Sequence, residues 1–168
     1  MKKINEGYTL IELVIVIAMI GLLIAFTAPK FQQAILSNDI KGVVRHIVGT
    51  IKTLRSEAVF EQEDYTIIFD LSDGEIWIIS PDLTEEEKAL AHRDSYELPD
   101  DVHIKEIAFK DSEDKIMGEV SIRISRKGYI QPAIIHIESD SDEEFSLILR
   151  PFLGKVEVIN EIVDYDDF

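Results

Sequence analysis

The period of apolar and polar positions changes twice along the chain. Residues 1–7, MKKINEG, are polar and include Lys2 and Lys3, whereas residues 8–28, YTLIELVIVIAMIGLLIAFTA, are apolar apart from Thr9, Glu12 and Thr27. No charged residue occurs from Leu13 to Ala28. At about 1.5 Å per residue this run makes a helix of about 30 Å, the thickness of a bilayer's hydrocarbon core, and the two lysines hold its start on the cytoplasmic side. Beyond Lys30, apolar residues at Ile40, Val44, Ile47, Ile51, Leu54 and Ala58 recur at spacings of three and four, with Val43 and Val48 widening the stripe. That period predicts an amphipathic helix, with Lys41, Arg45, Lys52 and Glu57 on the face turned to water or to a neighbouring chain. The two halves read as one nearly continuous helix from about Leu10 to about Gln62. Such a length far exceeds the ordinary globular helix of about 11–12 residues and favours an anchored spine over a compact enzyme fold. A coiled coil is the alternative, but only about three heptads are available. Gly42 and Gly49 interrupt them.

After Glu63 the period becomes two. Tyr65, Ile67, Phe69 and Leu71 alternate with Thr66, Ile68 and Asp70, and Asp73-Gly74 supplies a hairpin turn into a second strand at 75–80, with Trp77 as a core anchor. Thr84-Glu85-Glu86-Glu87 before Ala89 and Leu90 reads as a capping box opening a short helix. Further strands are expected at 102–109, 119–125, 130–138, 145–150 and 155–163, with Pro132 placing its strand at an edge or a bulge. The predicted fold class is α+β: a long N-terminal helix, membrane-spanning in its first half and amphipathic in its second, packed on a C-terminal antiparallel β-sandwich of two sheets. The boundaries are 1–7, 8–29, 30–62 and 63–168.

Charge and composition narrow the function. The chain of 168 residues has 17 Lys plus Arg against 33 Asp plus Glu, a formal charge of −16, and no cysteine. The missing thiols exclude a disulfide framework, a thiolate zinc site and a cysteine nucleophile, and leave the redox compartment open. The acidic excess argues against an electrostatic nucleic-acid binder, and no basic patch is visible in the sequence. His46, His92, His103 and His136 match no H-E-x-x-H or close pair and read as surface or packing histidines. No G-x-S-x-G elbow, P-loop or dinucleotide glycine signature occurs, and Ser-His-Asp geometry has no local motif behind it. The acidic segment 139–144 offers oxygen ligands for calcium, but it lacks the glycine-centred EF-hand spacing and reads more readily as a solvated loop. Asp164, Asp166 and Asp167 read as solvation or as contacts to a basic partner.

Two ordinary explanations of the N-terminal segment leave something over. A secretory signal peptide has an apolar region of about 7–15 residues and a small-x-small cut. Here the run is longer, and a cut after Ala28 puts Phe26 at the small position and Pro29 just beyond. A plain single-span anchor accounts for everything except Glu12, since a carboxylate inside an apolar run is costly unless paired or near the interface. Gly7-Tyr8-Thr9-Leu10-Ile11-Glu12, after a short basic leader and before an apolar run ending near Pro29, resembles the class III signal of type IV pilins and type II secretion pseudopilins. The resemblance implies that residues 1–7 are a leader, that a prepilin peptidase cuts between Gly7 and Tyr8, that the new amino terminus of Tyr8 is methylated, and that the apolar run is retained. Tyr8 departs from the Phe or Met more usual in the family. Glu12 then becomes the fifth mature residue, whose carboxylate is implied to neutralise the amine of a neighbouring subunit. A buried pair of that kind specifies register more than it stabilises. Gly21 and Pro29 bracket a stretch where glycine entropy and a missing N–H weaken the helix. Local unwinding between them, close helix packing at Gly21 and a simple kink at Pro29 are the readings left open.

Four later segments are similar to the GspH/FimT family of minor pseudopilins: Leu54-Arg55-Ser56-Glu57-Ala58, Glu97-Leu98-Pro99, Arg126-Lys127-Gly128, and Pro151-Phe152-Leu153-Gly154-Lys155-Val156. The implied function is that of a minor pseudopilin of the type II protein secretion system, assembled at or near the tip of a periplasmic pseudopilus and working by assembly instead of catalysis. The implied partners are other major and minor pseudopilins, prepilin peptidase, the inner-membrane secretion platform and membrane lipid, with no cofactor, metal or nucleic acid. The implied location is the bacterial inner membrane, as a single pass with a cytoplasmic N-terminus and a periplasmic C-terminal domain. One alternative is a FimT-like minor type IV pilin, some of which bind DNA through basic residues. Removing residues 1–7 leaves 15 basic against 32 acidic side chains, which disfavours that activity. The other alternative is a membrane-tethered periplasmic binding domain, which would tolerate loss of Glu12; an enzyme ranks last.

Overall fold

The structure, a computed structural model, describes residues 10–109, 118–152 and 154–163, with the side chains of residues 22–38 outside the description. Helix α1 spans Leu10–Glu61 without a break, through Gly21 and Pro29. The chain divides into two compact units, Met1–Ile35 and Leu36–Phe168.

In the second unit, α1 buries the stripe that its period predicts: Ile40, Val43, Val44, Ile47, Ile51, Leu54 and Ala58 are all buried. The helix stops where Gln62 adopts a left-handed φ of 60°, and the Gln62 side-chain amide donates to the carbonyl of Val59 at 2.6 Å. This is the capping role that glycine usually fills. The chain then builds two antiparallel sheets. The first contains β1 (Tyr65–Asp70), β2 (Glu75–Ile79), β3 (Tyr96–Glu97) and β5 (Glu119–Ile124), in the order β3-β2-β1-β5. The second contains β4 (Val102–Ala108), β6 (Ala133–Ser139), β7 (Glu144–Leu149) and β8 (Glu157–Ile159), in the order β4-β6-β7-β8. Helix α2 (Glu85–Arg93) joins β2 to β3 and has the expected capping box: Thr84 Oγ1 accepts from Glu87 N, and the Glu87 carboxylate accepts from Thr84 N.

Alternation decides which side chains share the core. Ile67, Phe69, Ile76, Val120, Ile122 and Ile124 face inward from the first sheet and join the α1 stripe and the inner face of the second sheet in one hydrophobic cluster. On β4 a bulge between Ile104 and Glu106 shifts the register, so that Ile104 and Ile107, three apart, both point into that cluster. The β1–β2 hairpin turns at Gly74, whose φ of 69° suits the glycine, while Asp70 Oδ1 accepts from the backbone N–H groups of Ser72 and Asp73.

Three details differ from the expectations. Trp77 is buried, but on the opposite face of its strand from the main cluster, where its ring lies 4.4 Å from that of His92 on α2. It anchors α2 because β2 alternates with period two and Ile76 takes the inward position. Pro132 lies one residue before β6, and β6 is a central strand instead of an edge. A proline just ahead of a strand removes no ladder donor, so it places no constraint on which strand follows. The last strand is confined to Glu157–Ile159, because Ser146 diverts the chain beyond it.

That diversion covers the outer face of the second sheet. Strands β6 and β7 are buried on both faces, with Ile134, His136, Ser146 and Ile148 pointing away from the main cluster. Ser146 Oγ donates to the carbonyl of Glu161 at 2.6 Å and accepts from the backbone N–H of Val163 at 3.3 Å. Its one proton is thereby used, so His136 Nδ1, 3.0 Å away, is the donor in that contact.

Candidate assembly site

Glu12 sits in the first turn of α1, where an acidic side chain suits the helix dipole. It is the one ionisable residue among residues 10–21. Every residue in that stretch is exposed, from Leu10 at 82% to Ile17 at 61% and Ile20 at 50%. Apart from Glu12 the helix here is apolar all round and uncovered, without the polar face of an ordinary surface helix. The twelve residues with described side chains in this run rise about 18 Å. Among the described residues no helix is long and apolar enough to cross a membrane.

Gly7 and Tyr8 lie outside the described residues. Nothing lies within 4 Å of the place where a Cβ on Gly21 would sit, so a neighbouring helix has room to approach there. Pro29 lies within α1, and its side chain is outside the described set.

In the second unit the predicted candidates separate. The ring of His46 stacks on Tyr96 at 3.7 Å and an interplanar angle of 13°, and burial pushes the His46 pKa below its usual value. Tyr96 is pushed up, first by burial and then by the Asp39 carboxylate. His92 meets Glu75 at 3.1 Å, and His103 meets Asp140 at 3.5 Å. The acidic loop likewise distributes its carboxylates: Asp140 to His103, Glu143 to Lys41 at 3.8 Å, and Glu144 to Lys105 at 3.3 Å. Lys105 also meets Glu138 at 3.0 Å, and these two carboxylates push its pKa up. Among the described residues no group of three His, Asp or Glu side chains is placed to hold a metal ion.

Sequence reasoning missed an exposed aromatic pair. The rings of Tyr129 and Phe152 meet edge to face at 5.3 Å, with Phe152 80% exposed. Phe152 lies in the motif at 151–156 and Tyr129 just after that at 126–128, but the two loops belong to different sheets and their meeting leaves no local pattern.

Residues 2–28 match the family described as the prokaryotic N-terminal methylation motif, a stretch that includes Gly7, Tyr8, Glu12 and Gly21. The type IV major fimbrial protein FimA of Dichelobacter nodosus is 34% identical over 64 residues, which is 38% of this chain and 40% of that protein. The chain therefore spans about 40% of the length of that fimbrial relative. Similarity along most of the chain is to the type II secretion system protein H of Pseudomonas aeruginosa, 26% identical over 149 residues, covering 88% of this chain and 84% of that one. Among solved structures, the minor pseudopilin EpsH from the type 2 secretion system of Vibrio cholerae shares the fold, with a TM-score of 0.51 at 13% identity over 73% of this chain and 97% of that one.

Proposed function

We propose that this chain is a minor pseudopilin of a type II protein secretion system, cut between Gly7 and Tyr8, N-methylated on Tyr8 and assembled at or near the tip of a periplasmic pseudopilus. The observation that carries the reading is the uncovered apolar helix with a single carboxylate in its first turn. The similarity to protein H over 88% of the chain supports the secretion system over a pilus. Before assembly, residues 8–29 span the inner membrane, with the N-terminus cytoplasmic and the soluble domain periplasmic. The two sheets form a sandwich against the second half of α1, and residues 63–168 supply the surface that other pseudopilins meet. Prepilin peptidase and the inner-membrane platform are transient partners.

Assembly exchanges lipid for helices around Leu10, Leu13, Val14 and Ile17. Because lipid and leucine are equally apolar, close packing and polar pairing decide the geometry. Glu12 supplies the polar term by meeting the Tyr8 amine of a neighbouring subunit, and Gly21 supplies room for close approach. Stretching between Gly21 and Pro29 adjusts the helix length. The mechanism uses no cofactor, metal or catalytic group.

Glu12→Ala tests the pairing. Losing one partner of a buried pair costs about 3–5 kcal/mol, so incorporation into filaments is expected to fall at least about tenfold while membrane insertion is unchanged. Normal incorporation, measured by quantifying the chain in sheared filaments, would overturn the pairing. Absence of the unsubstituted chain from those filaments would favour a tethered periplasmic binding domain.

A further inference from the structure

The second half of α1 has a charge pattern that the overall acidity of the chain conceals. Between Ile40 and Ser56 there are four basic side chains, Lys41, Arg45, Lys52 and Arg55, and no acidic one. Residues 57–168 hold ten basic against thirty acidic side chains. The overall acidity leaves room for a local basic patch, and helix geometry aligns one here. Since Ile40, Ile47, Ile51, Leu54 and Ala58 face the core, Lys41, Arg45 and Lys52 stand exposed on the other side. At about 100° per residue, these three fall within about 40° of one another along about 16 Å of helix.

Their partners are few. Lys41 meets Glu143 at 3.8 Å, but among the described residues Arg45 and Lys52 have no ion-pair partner. Next to Arg45, the same helix lines an open groove of about 440 Å³ with Gly49, Thr50, Thr53 and the carboxylate of Glu57, reaching Ile78 on β2, so an acidic partner patch meets the cationic line and leaves the Glu57 side of the groove to uncharged groups. No atom lies within 4 Å of a Cβ built on Gly49, so another backbone has room there.

We propose that the line of Lys41, Arg45 and Lys52, with the groove at Gly49, docks a compact carboxylate-rich patch on a different protein subunit. The inference goes beyond the assembly reading and does not depend on Glu12. Charge complementarity selects the partner. A long polyanion such as DNA would extend past the cationic line into the field of an acidic surface, whereas a protein patch ends where the line ends. Two copies of this chain, at −16 each, repel at long range, so the partner is a different, less acidic protein with a local acidic patch.

Carbodiimide crosslinking tests this directly, because it joins a lysine amine to a carboxylate already in contact. The full chain is treated in membranes of the producing bacterium, and its linked peptides are identified by mass spectrometry. The expected result is Lys52 joined to an Asp or Glu of another protein, with the yield falling at least about fivefold in Arg45→Glu and in the size-matched Arg45→Gln. The internal Lys88–Glu85 pair, 2.7 Å apart, provides a link on the molecule's own surface that neither change touches, and the Lys105–Glu138 link between β4 and β6 reports that the fold is intact. Lys52 linked only within its own chain, only to a second copy, or not at all would overturn the proposal. So would salt-sensitive binding of a short DNA duplex by the full chain in neutral detergent that Arg45→Glu abolishes.

Discussion

Tyr65 shows how one residue at a helix end responds to the surrounding acidity. Its phenol donates to a carboxylate oxygen of Glu61, and its pKa is pushed up to about 12, first by that hydrogen bond, then by burial and by the carboxylates of Glu61, Glu63 and Glu57. A folded-state value above the unfolded value of 10.0 means that the protonated phenol favours the folded chain. This contribution is complete below about pH 10 and is lost as pH rises through about 12. In a phenolate absorbance titration Tyr65 is expected to ionise near 12, and Glu61→Ala to return it toward 10.0. A titration curve that Glu61→Ala leaves unchanged would contradict the contact. At this scale the sequence was legible where the chemistry is contiguous, as in the capping box from Thr84 to Glu87. The His46–Tyr96 stack joins residues fifty positions apart and leaves no local pattern, and the Tyr129–Phe152 pair is hidden in the same way.

Among the elements, the turn after β5 is the most tightly constrained. Gly128 has a φ of 76°, and a Cβ added there would meet Val59 Cγ2 at 3.0 Å. Gly128→Ala is expected to destabilise the fold by about 1–3 kcal/mol in denaturant unfolding, combining the cost of positive φ with the collision. Val59→Ala in the same chain should recover only the collision. An unchanged unfolding midpoint for Gly128→Ala would show that the turn relaxes freely. The C-terminal strap depends on Ser146 in a comparable way. Ser146→Ala leaves the N–H of Val163, the carbonyl of Glu161 and Nδ1 of His136 without this partner, so a loss of about 2 kcal/mol is expected. Faster hydrogen exchange at Val163 should accompany it, and unchanged exchange would mean that the strap is held elsewhere.

Periodicity made α1, the first hairpin and α2 readable, because each is decided by neighbours in sequence. It did not reveal β3, only two residues long, or the departure of β4 to the second sheet before β5 returns to the first. Such crossovers depend on which inner faces fit together. The double burial of β6 and β7 was written in the runs Ile134-Ile135 and Leu147-Ile148-Leu149, which are apolar on both faces. Only the structure shows that Glu161 and Val163 help cover the outer one through Ser146.

For the whole molecule, two surfaces lack a complete environment of their own. One is the uncovered apolar helix at residues 10–21, and the other is the cationic line on the second half of α1. In the proposed function both meet other chains. The class of protein rests on whether the N-terminal segment is processed as a prepilin, and the decisive measurement is the intact mass and N-terminal sequence of the membrane protein with and without prepilin peptidase. The expected product with active peptidase begins at N-methylated Tyr8, with residues 8–28 retained. A chain that keeps Met1 through Gly7 in the presence of the active enzyme would contradict the account and leave a simply anchored periplasmic domain.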